Sequence, residues 1–240
     1  MSQAISRGRV GEIDFFRGIA LILMIFFHII WNLNEFYNFP VEYSTGIVFI
    51  IGKAAAYLFI IITAISCSFS KNNRKRGMKI LAVAMGITLA TYIYDPQVFI
   101  AFGILHFLGV SVLLYPVYKK LNNSLLLLTG TIMILAGQAI LTIPMAHDYL
   151  LFIGFISPSY YALDYYPLLP YSGLFLYGIF LARILYPEKR SLFKTNLDNN
   201  PVSMIGKKTL IVYLLHQPVI LAVLYILNQP GGRFFWLVFG

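Results

Sequence analysis

The sequence predicts an all-α integral membrane protein of about seven helices, and three observations predict it. Of 240 residues, 59% are hydrophobic and only 11% are charged, with mean hydropathy +0.78; a soluble domain carries about 25% charged residues. The apolar segments are apolar all round, without the in/out alternation of a membrane barrel strand. Short basic clusters separate them, as cytoplasmic loops do. Bilayer is the solvent that fits, and helices satisfy their own backbone groups there.

A span needs roughly 20 apolar residues. Helices are expected near 14–33, 47–70, 78–94, 97–118, 123–143, 165–186 and 208–228, forming a single transmembrane domain over 1–240 with no internal repeat. The first apolar run follows Arg7 and Arg9 and has no small-residue cleavage site, so it reads as an anchor. Tyr94-Asp95-Pro96 reads as a tight turn, because Pro96 biases Asp95 away from helix. The segment 144–164 is too long for a turn and too short to span, so an interfacial or re-entrant course is expected. The tail 233–240 is likewise expected to lie in the outer interface.

Charge sets the orientation. Arg7, Arg9, the Lys71–Lys79 cluster, Lys119, Lys120, Arg183, Lys189, Arg190, Lys194, Lys207 and Lys208 fall on one side. Glu35, Glu42, Asp95, Asp148 and Asp164 fall on the other, with Arg233 the one clearly placed base there. Seven crossings then put the N-terminus in the cytoplasm and the C-terminus outside. The net charge of +9 is distributed as loops, which argues against nucleic acid. The single Cys67 excludes an internal disulfide and a cysteine-based zinc site.

Ionisable groups inside hydrocarbon are costly, so each needs a reason. Helix one carries Asp14, Arg17, His28 and Asn32. At about 100° per residue, the steps from Arg17 to His28 leave about 20° of rotation, and Asp14 and Asn32 fall about 60° from Arg17. The four share one stripe, facing a cavity or protein interior. His28 stands about 16 Å above Arg17. With a fourth helix starting at 97, His106 is expected roughly 14 Å deep, and His216 roughly 12 Å up its own helix. Three histidines on three helices are thus expected near the midplane, with His147 in the outer loop.

Structural alternatives stand beside each. His106 lies between Gly103 and Gly109, small residues that permit close helix packing. His216 precedes Pro218, which frees the carbonyl of Leu214 and favours a kink. A three-histidine zinc site has no paired spacing to support it, and no metal is expected. Lys53 in helix two is expected to snorkel outward, with a place on the acceptor path as its functional alternative. The run Tyr160–Tyr166 suits an aromatic belt as well as ligand contact.

The string EIDFFRGIALILMIFFHIIWNL, with Arg-x₁₀-His formed by Arg17 and His28, resembles the opening of the transmembrane acyltransferase superfamily. Three further stretches, FGILHFLGVSVLL (102–114), DYYPLLPYSGLFLYGIFLAR (164–183) and IGKKTLIVYLLHQPVI (205–220), resemble the prokaryotic branch of the heparan-α-glucosaminide N-acetyltransferase-like catalytic-domain family. The resemblance implies acyl transfer, acetyl above all, from cytoplasmic acyl-CoA to an acceptor on the far side, often a sugar. It implies a prokaryotic cell membrane and a place for Arg17 and His28 in the active site. One departure matters: the animal lysosomal enzyme has Asn where His28 stands and a catalytic histidine further along, whereas here no histidine follows until His106. The acceptor of that enzyme does not carry over.

Such chemistry needs a phosphate site, a base and an oxyanion donor. Arg17 with Asp14, and Lys79, Lys207 and Lys208, are the candidates for the coenzyme. His28, Asn32, His106 and His216 are the candidates for the chemistry, and Asp164, Lys53 and Gln217 for the acceptor. Cys67 lies toward the cytoplasmic end of helix two, away from the other candidates. The expected partners are the bilayer, acyl-CoA and a carbohydrate or other small acceptor; a homo-oligomer is compatible with the sequence. The rival readings are a proton-coupled transporter or channel using the histidines, and a non-catalytic lipid- or partner-binding protein.

Overall fold

A computed structural model describes residues 10–97, 99–143, 145–193 and 197–227. Eight helices occur among them: α1 (Gly11–Tyr37), α2 (Gly46–Phe69), α3 (Asn73–Tyr94), α4 (Ile104–Tyr118), α5 (Asn123–Ile140), α6 (Leu168–Leu185), α7 (Pro201–Lys207) and α8 (Thr209–Leu227). No strand occurs among the described residues. Six helices (α1, α2, α3, α5, α6 and α8) are long and apolar enough to cross a membrane. Their outer faces carry large exposed apolar residues such as Ile47, Ile93, Leu135 and Ile226, which lipid solvates without cost. The protein is an all-α integral membrane protein. Arg7, Arg9, Lys194, Arg233 and the tail 233–240, used in the sequence reading, lie outside the described residues.

Two expectations need correction. The fourth helix starts at Ile104, not 97, and its 15 residues rise only about 22 Å, short of a ~30 Å core. Extended backbone at Gly103 delays the start. The third helix begins earlier than expected, at Asn73, because the side chain of Asn72 accepts the backbone N–H of Lys75 and caps the first turn. Arg74, Lys75 and Arg76 therefore ride on helix rather than in a loop. The short α7 breaks the chain before α8 and was not foreseen.

The chain divides into two compact units. The first holds 60–69 of α2 with α3, α4, α5 and α6. Within it α3 packs on α4 and α5 on α6. Small residues let the backbones approach: a Cβ on Gly109 would meet Leu81 at 2.6 Å, and one on Gly137 would meet Pro170 at 2.5 Å. Phe107, Leu108, Leu126, Phe175 and Leu176 are fully buried and form its apolar core.

The segment after α5 folds back without helix and is tied down by its own polar groups. Asp148 accepts the backbone N–H and the hydroxyl of Ser157 at 2.6 and 3.1 Å. Tyr165 donates to the carbonyl of Leu151 at 2.7 Å. The carbonyls of Phe152 and Ile153 accept from Leu168 and Leu169, so the loop caps the start of α6. At the other end of α6, Arg183 donates to the carbonyls of Lys119 and Leu121, both at 2.8 Å, and to Asn123 at 3.0 Å, fixing the α4–α5 turn.

The second unit holds α1, 46–59 of α2, α7 and α8. Here α7 lies directly on the first turns of α1. A Cβ on Gly206 would overlap the carbonyl oxygen of Asp14, and one on Gly18 would overlap that of Val202, so both positions accept only glycine. α8 packs along α1 further up. This pairing of α1 with α8 places the functional side chains.

Candidate active site

α1 runs unbroken from Gly11 to Tyr37, so the Arg17-to-His28 rise inferred from sequence, about 16 Å, holds in the structure. At the lower end Arg17 donates to Asp14 Oδ1 at 2.7 Å; the two side chains are 21% and 2% exposed. Glu12 beside them is buried as well. Lys207, on α7, donates to the carbonyl of Asp198 at 2.6 Å, while Lys208 is exposed. The hydroxyl of Ser203, on the same short helix, is fully buried and makes no hydrogen bond among the described residues.

At the upper end, four polar residues meet between α1 and α8. His28 and His216 stand with ring centroids 4.9 Å apart at 69°. His28 Nδ1 lies 2.9 Å from the carbonyl of Met24, one turn back on its own helix. A carbonyl only accepts, so Nδ1 carries the proton and Nε2 is left with a lone pair. His216 repeats the arrangement: its Nδ1 hydrogen-bonds the carbonyl of Tyr213, and its Nε2 is buried with no partner. Pro218 sits two residues on, inside α8. Phe27 packs edge-on against His28, with ring centroids 5.7 Å apart.

One turn above, Asn32 and Gln217 exchange hydrogen bonds reciprocally. Asn32 Nδ2 donates to Gln217 Oε1 at 3.2 Å, and Gln217 Nε2 donates to Asn32 Oδ1 at 3.0 Å. Asn32 also donates to the carbonyl of His28 at 2.6 Å and is 0% exposed. Both donors of the Asn32 amide are therefore spent. In hydrocarbon this amide pair clamps α1 to α8 in one register, directly beside the two imidazoles.

His106 has different surroundings. It lies on the third residue of α4, about 3 Å along the helix rather than the roughly 14 Å inferred from sequence. The backbone N–H of Gly103 donates to its Nδ1 at 3.2 Å, so the proton sits on Nε2. Nε2 donates to the hydroxyl of Thr88 at 2.9 Å, and Thr88 donates to the carbonyl of Ile100 at 2.7 Å. Both ring nitrogens are used. Nearby, Asp164 Oδ2 accepts the N–H of Ile104 at 2.9 Å and caps the same helix start. Burial pushes the Asp164 carboxyl up to about 6, opposed in part by that N–H.

Of the remaining candidates, Lys53 places its ammonium 5.4 Å from the centre of the Phe49 ring and is half-buried. Lys79 is exposed on α3. The buried Cys67 has Arg76 Nη1 3.8 Å from its sulfur. No group of three or more His, Cys, Asp or Glu side chains among the described residues is placed to hold a metal. Sequence reasoning missed three participants: Thr88, whose hydroxyl completes the His106 network; the Tyr213 carbonyl; and the buried Ser203. A serine or threonine in an apolar helix carries no signal until its partner is known.

Residues 9–218 match the family model described as heparan-alpha-glucosaminide N-acetyltransferase, catalytic. No curated protein and no solved structure matches the chain.

Proposed function

Because the chain belongs to the heparan-α-glucosaminide N-acetyltransferase catalytic-domain family, we propose that it transfers an acyl group, acetyl in the first instance, from cytoplasmic acyl-CoA to an amine or hydroxyl on an extracytoplasmic acceptor such as an amino sugar. The coarser statement, a membrane transferase of this family, follows from the match over 9–218. The observation that carries the finer reading is the 2.9 Å contact between His28 Nδ1 and the Met24 carbonyl. With Nδ1–H tied to the Met24 carbonyl, Nε2 keeps the lone pair that a base needs.

Arg17 is the phosphate fork for the coenzyme at the lower end of α1, oriented by Asp14. Lys207, at the end of α7, and Lys208, its cap, add positive charge. The pantetheine arm then follows α1 toward His28, and the fixed rise of about 16 Å suits an arm of that kind. His28 Nε2 removes the proton from the attacking acceptor as the new N–C or O–C bond forms at the thioester carbon. Collapse breaks the C–S bond, and the same imidazolium returns its proton to the departing thiolate, giving CoA–SH. His216 is the neighbouring imidazole that orients the reacting ring, and the Asn32–Gln217 pair holds both. His106, with both nitrogens engaged, is assigned to the start of α4. Asp164 shares that role, and Lys53 remains a candidate on the acceptor side. Placing the N-terminus in the cytoplasm agrees with this direction of transfer.

Purified protein incubated with labelled acetyl-CoA and a panel of amino sugars and glycans tests the reading. Acetyl transfer is expected, with coenzyme binding lost in Arg17→Ala and turnover lost in His28→Ala while binding persists. Folded protein that binds no acyl-CoA at all would overturn it.

A further inference from the structure

The two tethered imidazoles stand close enough, with ring centroids 4.9 Å apart, to share one ion. A metal-binding histidine almost always donates its second ring N–H to a carboxylate, a backbone carbonyl or water, which fixes the tautomer and aims the free nitrogen. His28 and His216 both do this, through the Met24 and Tyr213 carbonyls. Each Nδ1 tethered to a carbonyl leaves the lone pair on Nε2. His216 Nε2 is buried with no hydrogen-bond partner, an expensive state for an acceptor in a polar site.

The spacing agrees. An ion about 2.0–2.1 Å from each Nε2 lies about 3.2 Å from each ring centre, and a tetrahedral angle then separates the centres by roughly 5 Å. The observed separation is 4.9 Å, with the rings inclined at 69° so that neither stacks on the other. The Asn32–Gln217 clamp fixes the helix register that produces this separation, and each of its amide oxygens accepts one hydrogen bond from the other residue.

We infer that His28 and His216 form a two-imidazole site for a divalent transition-metal ion of the zinc or copper class, bound through both Nε2 atoms. With no third His, Cys, Asp or Glu placed beside the pair among the described residues, water completes the coordination shell. An ion without an anionic protein ligand is held reversibly, which fits an inhibitory site better than a resident cofactor. It occupies the lone pair that proton removal from the acceptor requires, so the metal blocks transfer; that consequence rests on the acyltransferase reading, whereas the binding does not.

The experiment uses the full chain, purified in detergent on a tag free of histidine. Zn²⁺ is titrated against a chromogenic chelator, and Co²⁺ is followed by its visible absorption. One ion per chain is expected, with affinity falling tenfold or more in His28→Gln and in His216→Gln, and unchanged in His147→Gln. If a glutamine variant does not fold, native protein is treated with an imidazole acylating reagent with and without Zn²⁺, and modified residues are mapped by mass spectrometry. Protection of His28 and His216, but not His147, is expected. Absence of binding to folded native protein, binding that survives both substitutions, or equal modification with and without Zn²⁺ overturns the site. Binding without inhibition of acetyl transfer would leave the site standing and remove its assigned effect.

Discussion

The histidine pair between α1 and α8 and the single histidine at the start of α4 contain the same side chain in opposite states. His106 accepts a hydrogen bond from the Gly103 N–H and donates one to the Thr88 hydroxyl, so neither nitrogen is available. His28 and His216 each spend one nitrogen on a backbone carbonyl of their own helix and leave the other bare. An imidazole closed at both ends serves structure, because removing it orphans groups that water cannot reach. An imidazole closed at one end is oriented for chemistry, and the bond it makes within its helix contributes little that the helix does not already have.

The largest expected effect breaks the pair at its reactive end. His28→Ala lowers acetyl transfer by about 10²–10⁴-fold, the usual contribution of a general base. Its coenzyme affinity and apparent Tm stay close to the parent's, since the hydrogen bond lost lies within its own helix and the other losses are ring contacts with Phe27 and His216. The comparison inverts at His106→Ala. There the buried Gly103 N–H is left unsatisfied, at about 1–3 kcal/mol, while the Thr88 hydroxyl loses the donor that His106 supplied but keeps its bond to the Ile100 carbonyl. Apparent Tm falls by several degrees, while the activity of the protein that remains folded stays within about twofold. Thermal unfolding and CoA release measured on one preparation decide it; a His106 variant that is stable but inactive would contradict the assignment.

The contrast between these histidines was only half legible in the sequence. The stripe of Asp14, Arg17, His28 and Asn32 follows from helical periodicity, and an unbroken α1 carries it. The candidate spans were legible because 18–27 apolar residues leave few alternatives. His106 was placed too deep because Gly103 was counted as helix. The cause is long-range: Gly103 N–H is held by His106, and the adjoining Ile104 N–H by Asp164, sixty residues on. Periodicity carries no record of such a contact. The pairing of Asn32 with Gln217, across 185 residues, was invisible for the same reason, although both residues stood among the candidates. α7 was missed because seven residues, Pro201–Lys207, are too few to show a period.

An intermediate effect sharpens the role of the clamp. Gln217→Ala removes the partner of Asn32 and frees α8 to slide against α1, which costs about 1–2 kcal/mol on the scale of interhelical amide bonds in membranes. With the two rings no longer held at 4.9 Å, kcat is expected to fall about tenfold with coenzyme affinity unchanged. Gln217→Glu tests whether the donor matters: an ionised carboxylate accepts from Asn32 Nδ2 but returns no proton to Asn32 Oδ1. A Gln217→Glu variant with full activity would mean that the clamp is not needed in its reciprocal form.

The smallest effect belongs to Asp164, which closes the same helix start as His106. Its carboxyl is raised to about 6 because burial disfavours the charge more than the Ile104 N–H favours it. An unfolded chain titrates this group near 3.9, so between roughly pH 4 and pH 6 the native state holds more protons than the unfolded one. Stability from this residue therefore falls as pH rises through that window, and the full cost of the buried charge is present above about pH 6. Asp164→Asn keeps an oxygen for the Ile104 N–H without the charge. The Tm of the variant minus that of the parent is expected to increase from pH 4 to about pH 6.5 and then level off. A difference that shrinks over the same range would mean the carboxylate gains more from Ile104 than burial costs it, and the start of α4 would depend on charge rather than on the neutral closure seen at His106.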